Sequence, residues 1–561
     1  MKLKGAEIVW ECLVREGVEV VFGYPGGANM PIYDAMLNYP VHHVLVRHEQ
    51  GGAHMADGYA RVSGKVGVAM ATSGPGATNL VTGIATAMMD SVPVVFITGQ
   101  VAAHLIGGDA FQETDMTGIT LPITKHNYLV TRAEDIAETI REAFYIARSG
   151  RPGPVLIDIC KNAQVESCDF EYPAEPELPG YKPLIHSPRL LLDEAVKLIE
   201  KAKRPVILCG HGVIMSKAEE ELAQFAVKTQ TPVASTLLGL GAFPASNELS
   251  LGMMGMHGEV HTNMAIQNSD LILAFGMRFD DRVTGTLKTY APGAKKIHIE
   301  IDPAEVHKNV FADVPLMGDL KTVLRDLIPL LDEYDHDEWK QQISAWKSEA
   351  DARSIMNWDD GEKLYVAHLV GDIWKATGGG AIMATDVGQH QMWAAQYYQL
   401  EQPNRWITSG GAGTMGFGLP SAIGAWFAAK DQEIWAIAGD GGFQMTAAEL
   451  TTAVQEGANV KVAIMNNSFL GMVRQWQEFF FEKRYSAVNM LAPDFVKLAE
   501  AHGVPAKRVT KREEVNEAIE WARKTEGPVV LEFRVEMEDG VYPMVPAGAA
   551  LHEMIQRPVK Q

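Results

Sequence analysis

The 561-residue sequence predicts an α/β protein built from three doubly wound parallel sheets. Short apolar runs of strand length alternate with small-residue segments of helical length, as in parallel sheets that carry helices on both faces. The runs fall into three groups, separated by two stretches of different composition. The predicted strands are residues 18–22, 41–46, 66–72, 94–98 and 155–159 in the first group, 206–209, 233–236, 271–275 and 296–301 in the second, and 382–385, 433–438, 460–465 and 529–535 in the third.

The two separating stretches set the predicted domain boundaries. Residues 169–189 contain several Pro and Glu and lack periodicity, so we expect a linker there. Residues 336–365 are charged and contain Trp, which favours exposed helices and a connector. We therefore predict three domains, at residues 1–168, 190–335 and 366–561.

Composition argues against several classes of function. The formal net charge of -21 disfavours nucleic acid and anionic membranes as partners. Four cysteines without CxxC spacing indicate reduced thiols and a cytoplasmic location. The first 17 residues predict a charged amphipathic helix rather than a secretory signal, and no uncharged apolar run is long enough to span a bilayer.

A glycine-flanked aspartate follows the predicted strand at residues 433–438. Asp440 therefore lies at the carboxyl edge of a parallel sheet, where open α/β sheets bind ligands. Gly439 and Gly441 leave room for the backbone to approach a phosphate closely. The segment 446–456 has helical character and is expected to direct its amino end at the anion.

A second predicted strand, residues 460–465, delivers Asn466 and Asn467 to the same edge. One carboxylate, one amide oxygen and one backbone carbonyl suit Mg²⁺ when phosphate oxygens and water complete its octahedron. The alternative is a pair of unrelated turns, which the spacing and the paired Asn disfavour. The sequence thus predicts a site for a metal-bound diphosphate.

The spacing between the Gly-Asp-Gly motif at residues 439–441 and the asparagines at 466 and 467 resembles the signature of thiamine-diphosphate enzymes. Such enzymes activate thiamine with a carboxyl group that is hydrogen-bonded to a nitrogen of the aminopyrimidine ring. Glu49 is the candidate, because it follows the predicted strand at residues 41–46 and begins a helix rich in small residues. A partly buried glutamate is suited to that proton exchange. A helix-start carboxylate stabilised by the helix dipole is the alternative interpretation.

Further segments, in the same order along the chain, resemble the catalytic subunit of the acetohydroxyacid synthase (acetolactate synthase) family. The resemblance covers nearly the whole chain and is carried by residues 22–28, 72–79, 110–113, 149–154, 276–285 and 471–476. It implies a pyrimidine-binding first domain, a central FAD-binding domain and a diphosphate-binding third domain. It also implies thiamine diphosphate, Mg²⁺ and FAD as cofactors.

The reaction that this resemblance implies is decarboxylation of pyruvate and transfer of the hydroxyethyl unit to a second 2-keto acid. With pyruvate or 2-ketobutyrate as acceptor, the products are 2-acetolactate or 2-aceto-2-hydroxybutyrate, precursors of valine, leucine and isoleucine. Three rival hypotheses remain: a catabolic acetolactate synthase without FAD, a pyruvate oxidase that uses FAD for redox chemistry, and a non-catalytic scaffold. The scaffold hypothesis is disfavoured, because a decayed enzyme would have lost its chemistry whereas this chain retains Glu49, Asp440 and Asn467.

The resemblance also assigns the thiamine-diphosphate site. Met415 is expected beneath the bent cofactor, and core packing is the alternative role for this side chain. The implied coenzyme contacts are Pro25, Gly26, Thr72, Pro75, Asn79, Gly388, Gln389, His390, Gly413, Met415, Gly439, Asp440, Gly441, Gly442, Met472 and Val473. The implied metal ligands are Asp440, Asn467 and the backbone carbonyl of Phe469.

In this family the pyrimidine domain of one subunit meets the diphosphate domain of another, so a homodimer is the smallest expected catalytic unit. A tetramer is equally compatible with the sequence, and a small regulatory subunit is a family expectation. The implied FAD contacts are Arg151, Gly210, Thr236, Leu237, Gly255, Met256, His257, Gly276, Arg278, Asp280, Glu300, Ile301 and Asp319. Glycine turns at sheet edges admit a dinucleotide, and an acid after a strand binds ribose hydroxyls, although plain turns are the alternative.

The residues implied in catalysis are Glu49, Gln112, Lys161, Arg282, Met415 and Trp476. The guanidinium fork of Arg282 suits the carboxylate of the second 2-keto acid, with a surface salt bridge to Asp280 or Asp281 as the alternative. Trp476 is expected to form the wall of the pocket for the alkyl group, with hydrophobic core as the alternative. An aromatic wall favours an ethyl over a methyl group, so 2-ketobutyrate is the expected preferred acceptor.

Overall fold

Three six-stranded sheets, each parallel throughout, organise the chain in the computed structural model, which describes residues 1–358, 361 and 363–559. The predicted fold class is confirmed. Residues 359, 360 and 362 of the predicted connector, and residues 560 and 561 at the end of the third predicted domain, lie outside the described residues.

The first sheet has the strand order β3-β2-β4-β5-β7-β6, and a short antiparallel pair, β1 with β8, lies apart from it. The strands of the six-stranded sheet are β2 (Val20–Gly23), β3 (His42–Leu45), β4 (Gly67–Ala71), β5 (Val94–Gln100), β6 (His126–Val130) and β7 (Val155–Cys160), and those of the separate pair are β1 (Lys2–Lys4) and β8 (Ser167–Asp169). Its helices are α1 (Gly5–Arg15), α2 (Met30–Ala35), α3 (Glu49–Ser63), α4 (Pro75–Thr78), α5 (Val81–Asp90), α6 (Met116–Thr120), α7 (Ile136–Arg148) and α8 (Lys161–Val165). The expected amphipathic helix at the start is α1, which follows a strand that the sequence did not predict.

The second sheet has the order β11-β10-β9-β12-β13-β14. Its strands are β9 (Pro205–Cys209), β10 (Val233–Ser235), β11 (Ser250–Met253), β12 (Leu271–Phe275), β13 (Lys295–Glu300) and β14 (Val314–Met317). The helices are α9 (Arg189–Ile199), α10 (His211–Met215), α11 (Glu219–Thr229), α12 (Val260–Asn268), α13 (Asp281–Thr284) and α14 (Leu320–Leu327), and α15 (Asp337–Asp351) follows in the predicted connector.

The third sheet has the order β16-β15-β17-β18-β20-β19. Its strands are β15 (Ile382–Thr385), β16 (Trp406–Ile407), β17 (Ile434–Gly439), β18 (Val460–Asn466), β19 (Ala506–Val509) and β20 (Val529–Arg534). Its helices are α16 (Val366–Thr377), α17 (Gln389–Tyr397), α18 (Gly418–Ala428), α19 (Asp440–Thr446), α20 (Glu449–Glu456), α21 (Gly471–Phe480), α22 (Phe495–Ala501) and α23 (Val515–Lys524).

One expectation about the third sheet is wrong. The helical segment 446–456 does not direct its amino end at the edge of the sheet, because a separate helix, α19, begins directly at Asp440. The predicted segment corresponds instead to the end of α19 and to α20. The helix amino end at this edge therefore includes the aspartate itself.

The first and third domains of the chain pack together through α3 and α18. A Cβ atom on Gly58 of α3 would lie 2.1 Å from the carbonyl oxygen of Ser421, and one on Gly424 of α18 would lie 1.9 Å from that of Met55. This close approach explains why both helices are rich in small residues. Within the part of the chain that the structure describes, every helix is too short or too polar to cross a lipid bilayer.

Candidate active site

Asp440 stands at the carboxyl end of β17 and is the first residue of α19. Its side chain is buried, and its Oδ2 atom has no hydrogen-bond partner among the residues that the structure describes. Burial raises the pKa of this carboxyl to about 6. A buried carboxylate oxygen without a partner is costly unless another group binds it, and a cation meets that need.

Asn466 and Asn467 follow at the end of the neighbouring strand β18, and the structure gives them different roles. Asn466 is buried and donates from Nδ2 to Glu532, 2.7 Å away, so its amide is committed to the fold. Asp440, Asn467 and Phe469 all line one cavity, which is described below. The backbone reaches Phe469 through a left-handed turn at Ser468, where φ is 59°. The predicted metal ligands therefore share one cavity.

The predicted ligands at this edge offer three oxygen donors, fewer than the octahedron of Mg²⁺ requires. Among the residues that the structure describes, no three His, Cys, Asp or Glu side chains form a group that could hold a metal ion. One carboxylate, one amide and one backbone carbonyl match Mg²⁺ bound through phosphate oxygens and water. The donor set thus fits a metal-bound diphosphate better than a metal held by protein alone.

Gly441 and Gly442, directly after Asp440, form a backbone cradle without side chains of their own, against which other segments pack closely. A Cβ atom on Gly442 would lie 2.0 Å from Oδ1 of Asp386, and one on Gly441 would lie 3.3 Å from Cε of Met415. Asp386 is buried and accepts hydrogen bonds from the backbone N–H groups of Gly416 and Gly418. It thereby fixes the turn after Met415 against the start of α19, while burial raises its pKa to about 6.

His390 supports the same edge from α17. Its Nε2 accepts a hydrogen bond of 3.2 Å from the backbone N–H of Gly439. Burial lowers its pKa to about 4, so the ring is neutral at neutral pH. Gln389, the first residue of α17, donates from Nε2 to Oε1 of the buried Gln475. The helix start after Gly388 is therefore tied to both β17 and α21.

A cavity of about 970 Å³ extends from this edge to the carboxyl edge of the second sheet. Of the predicted coenzyme residues it is lined by Gly388, Gln389, His390, Gly413, Met415, Gly439, Asp440, Gly441, Gly442, Met472 and Val473. Of the predicted FAD residues it is lined by Arg151, Thr236, Leu237, Met256, His257, Gly276, Arg278, Asp280, Glu300, Ile301 and Asp319. Gly210 and Gly255 do not line it, although their neighbours His211, Gly212 and Met256 do.

At the second sheet, the backbone after β12 passes very close to the backbone of α10 beside this cavity. We call this contact between Gly276 and Gly212 the glycine crossing. Gly276 has a φ of 56°, and a Cβ atom there would lie 2.6 Å from Cα of Gly212. Glu300 at the end of β13 is buried, accepts from the backbone N–H of Ile301 and Asp302, and has its pKa raised by burial to about 7. A glycine crossing with an acid after a strand matches the requirements of a dinucleotide site.

The predicted substrate residues lie along the same cavity. The Arg282 side chain is 60% exposed, and its closest carboxylate is Asp281, at 3.7 Å. At this distance and exposure the pair is weak, so the guanidinium is available to another anion. Trp476 is partly exposed on α21 and packs against Phe480 with ring centroids 5.1 Å apart. It lines the cavity rather than lying wholly in the core.

The predicted site residues of the first domain other than Arg151 form a second group, which we call the pyrimidine group. In the described ranges none of its members lines the cavity; they are Pro25, Gly26, Glu49, Thr72, Pro75, Asn79, Gln112 and Lys161. Asn79 donates from Nδ2 to Oε2 of Glu49 at 2.9 Å, and a Cβ atom on Gly76 would lie 3.1 Å from Oε1 of Glu49.

Two close contacts of the first domain involve other members of the pyrimidine group. A Cβ atom on Gly26 would lie 2.5 Å from Thr72, and one on Gly74 would lie 2.9 Å from Gln112. Lys161 is exposed at the start of α8. Within one chain, Asp440 lines the cavity and Glu49 does not.

Sequence reasoning missed the residue that fixes the start of α3. Glu449 of α20 is buried and accepts from the backbone N–H groups of Arg47 and His48, just before Glu49. Glu49 is the first residue of α3, so it also occupies the helix-start position that the alternative interpretation required. No local pattern links a glutamate to backbone groups 401 residues away, so only the fold identifies this contact.

Comparison with known proteins gives three family matches in chain order. Residues 3–119 match the N-terminal TPP binding domain of thiamine pyrophosphate enzymes, residues 192–327 match their central domain, and residues 386–533 match their C-terminal TPP binding domain. The first range covers β2 to β5 of the first sheet, the second covers all strands of the second sheet, and the third begins just after β15 of the third sheet.

The chain is also similar to curated proteins over almost its whole length. It is 49% identical to the acetolactate synthase large subunit of Corynebacterium glutamicum, over 98% of this chain and 89% of that protein. It is 45% identical to the acetolactate synthase large subunit of Haemophilus influenzae, over 99% and 98%. It is 47% identical to acetolactate synthase 2, chloroplastic, of Nicotiana tabacum, over 98% and 85%. The chain therefore belongs to the acetolactate synthase large-subunit family of thiamine pyrophosphate enzymes.

Proposed function

We propose that this chain is the catalytic subunit of an acetolactate synthase, a transferase. It decarboxylates pyruvate and transfers the resulting two-carbon unit to pyruvate or 2-ketobutyrate, in the biosynthesis of branched-chain amino acids. The observation that carries this proposal is the single cavity that joins the Asp440 edge of the third sheet, the glycine crossing of the second sheet, and Arg282 with Trp476.

Thiamine diphosphate supplies the electron sink for decarboxylation when it is bound. Asp440, Asn467 and the carbonyl of Phe469 would hold Mg²⁺, and the cradle at Gly441 and Gly442 would receive the diphosphate. The unpartnered Oδ2 of Asp440 supports this assignment, because the buried oxygen needs a ligand.

FAD is assigned to the part of the cavity beside the second sheet. The glycine crossing at Gly276 and the buried Glu300 support this assignment, because they suit a dinucleotide backbone and ribose hydroxyls. The proposed reaction has no net redox change, so the flavin would have a structural role in the site rather than a role in electron transfer.

A second copy of the chain would complete the active site. Glu49 accepts from Asn79 and does not line the cavity of its own chain, so its carboxylate is available to a cavity in another subunit. We therefore propose a homodimer as the smallest catalytic unit, with a tetramer as a larger form. The large-subunit names of the relatives support a further, small regulatory subunit. All four cysteines are free thiols, which supports a cytoplasmic location.

Two side chains would select the substrates. Arg282 would bind the carboxylate of the acceptor 2-keto acid, since its only nearby carboxylate in the described chain, on Asp281, is 3.7 Å away. Trp476 would contact the alkyl group of the acceptor and favour 2-ketobutyrate. The partly exposed position of its ring on the cavity wall supports this role.

The test is incubation of the purified protein with pyruvate, 2-ketobutyrate, thiamine diphosphate, Mg²⁺ and FAD, followed by identification of the hydroxy acids. We expect 2-acetolactate and 2-aceto-2-hydroxybutyrate. A protein without a flavin absorption band would indicate the catabolic, FAD-free type. Oxygen or quinone consumption in proportion to pyruvate would indicate an oxidase instead.

A further inference from the structure

Asp90, the last residue of α5, contacts all three domains. Its buried carboxylate accepts from the backbone N–H of Gly410 at 3.0 Å, from that of Gly411 at 2.7 Å, and from Nη2 of Arg61 at 2.8 Å. Its backbone oxygen lies 3.1 Å from Nδ1 of His211 in the second domain. Asp90 also lines the cavity.

The charge of Asp90 is stabilised by a buried guanidinium. Arg61 lies between Asp57, at 2.6 Å, and Asp90, and its Cζ is 5.5 Å from the centre of the Phe417 ring. A buried ion pair of this kind is worth little in net stability, but it fixes the position of its members because neither can move without leaving a charge unpaired. Arg61 belongs to α3, the helix that begins with Glu49.

The groups that Asp90 binds belong to a loop that cannot order itself by side-chain packing. Residues 410–413 have the sequence Gly-Gly-Ala-Gly and line the cavity directly before Met415. Glycine-rich backbone loses the most conformational freedom on ordering, so this loop needs external contacts. A second contact also comes from α5, because the hydroxyl of Thr86 lies 2.7 Å from that of Thr414.

We propose that Asp90 is a positioning residue that fixes the loop at residues 410–413 and, through it, Met415 in the coenzyme cavity. The identity of that coenzyme rests on the proposed function, whereas the effect on the loop does not. The same helix α3 thus carries Glu49 at one end and, through Arg61, supports the loop of its own chain at the other. One helix would contribute to both active sites of a dimer.

The experiment uses the full-length Asp90→Asn variant. The uncharged amide accepts backbone hydrogen bonds less well than a carboxylate and places an N–H group against other donors. We expect backbone amide hydrogen exchange of residues 408–416 to become roughly tenfold faster in the coenzyme-free protein, as loss of one charged hydrogen bond predicts. We expect thiamine diphosphate, measured by calorimetry with Mg²⁺, to bind roughly tenfold more weakly.

Glu221→Gln is the matched control. Glu221 is a buried carboxylate that pairs with Arg325 at 2.9 Å, and it does not line the cavity. This variant is expected to change thermal stability without changing exchange in residues 408–416 or the affinity for thiamine diphosphate. Faster exchange there in both variants would indicate general loosening and would overturn the proposal.

Asp90→Glu provides a second variant if Asp90→Asn does not fold. It keeps the charge opposite Arg61 but displaces the carboxylate from the two glycine N–H groups, so faster exchange in the loop is again expected. Wild-type exchange and coenzyme affinity in either folded variant would overturn the proposal, and so would failure of both variants to fold. Absence of acetolactate from the wild-type protein would reject the proposed function while leaving the exchange result intact.

Discussion

Replacing Gly442 with alanine should disrupt the diphosphate cradle and destabilise the third domain. An alanine inside a helix ordinarily stabilises by about 1 kcal/mol relative to glycine. At this position in α19 the added Cβ would lie 2.0 Å from Oδ1 of Asp386, so the carboxylate has to move. The sign of the effect is therefore opposite to that expected from helix propensity.

The contacts of Asp386 set the magnitude. Its oxygens accept from the backbone N–H groups of Val387, Gly416 and Gly418 at distances between 2.9 and 3.1 Å. Each buried N–H left without an acceptor costs about 1–3 kcal/mol, so loss of two such bonds costs about 2–6 kcal/mol. Even the lower value exceeds the gain from helix propensity.

The assay is urea unfolding followed by tryptophan fluorescence, together with calorimetry of thiamine diphosphate binding in Mg²⁺. Gly380→Ala is the control in the same domain, because the nearest atom to its Cβ would be the Thr377 oxygen at 3.6 Å and its φ is not positive. This control should change stability by less than about 1 kcal/mol. Unchanged or raised stability in Gly442→Ala, with wild-type coenzyme affinity, would refute the reasoning.

Three other changes have defined outcomes. Glu49→Ala should lower the turnover number by at least about 100-fold while thiamine diphosphate still binds, and wild-type activity would remove Glu49 from the mechanism. Trp476→Leu should lower the preference for 2-ketobutyrate about fourfold, equivalent to roughly 0.8 kcal/mol for one methylene, and an unchanged product ratio in a two-substrate competition would reject this. Burial raises the pKa of Glu300 to about 7, and the ionised carboxylate accepts ribose hydroxyls better than the protonated one. FAD should therefore bind more tightly at pH 8 than at pH 6, whereas Glu300→Gln should lose this dependence; an equal pH dependence in both proteins would contradict the assignment.

The strands that the sequence predicted and those it missed differ in their place in the sheets. Residues 271–275 coincide with the central strand β12, and the other interior strands match within two residues. The missed strands of the three large sheets, β6, β11, β14, β16 and β19, all lie at sheet edges. Interior strands of parallel sheets are buried on both faces and form continuous apolar runs, but edge strands are short or half exposed and lack that pattern.

The candidate site shows a similar division. Site residues predicted from a recognisable local pattern, such as Asp440 between its glycines, lie at the strand end that the sequence indicated. Residues that act by accepting backbone N–H groups from distant segments, namely Asp90, Asp386 and Glu449, carry no local signal and were missed. The contact of Asn466 with Glu532 could not be predicted from the sequence either, and it agrees with the assignment of Asn467 alone as the proposed ligand.

Complementation between two inactive variants tests most directly whether one active site is built from two chains. Glu49→Ala and Asp440→Ala should each be inactive, and subunits of both are mixed after mild dissociation and reassociation. If Glu49 of one subunit meets Asp440 of another, half of the dimers are mixed and each contains one intact site, so about a quarter of wild-type activity should return. If no activity returns although mass spectrometry demonstrates mixed dimers, the proposed two-chain site is contradicted.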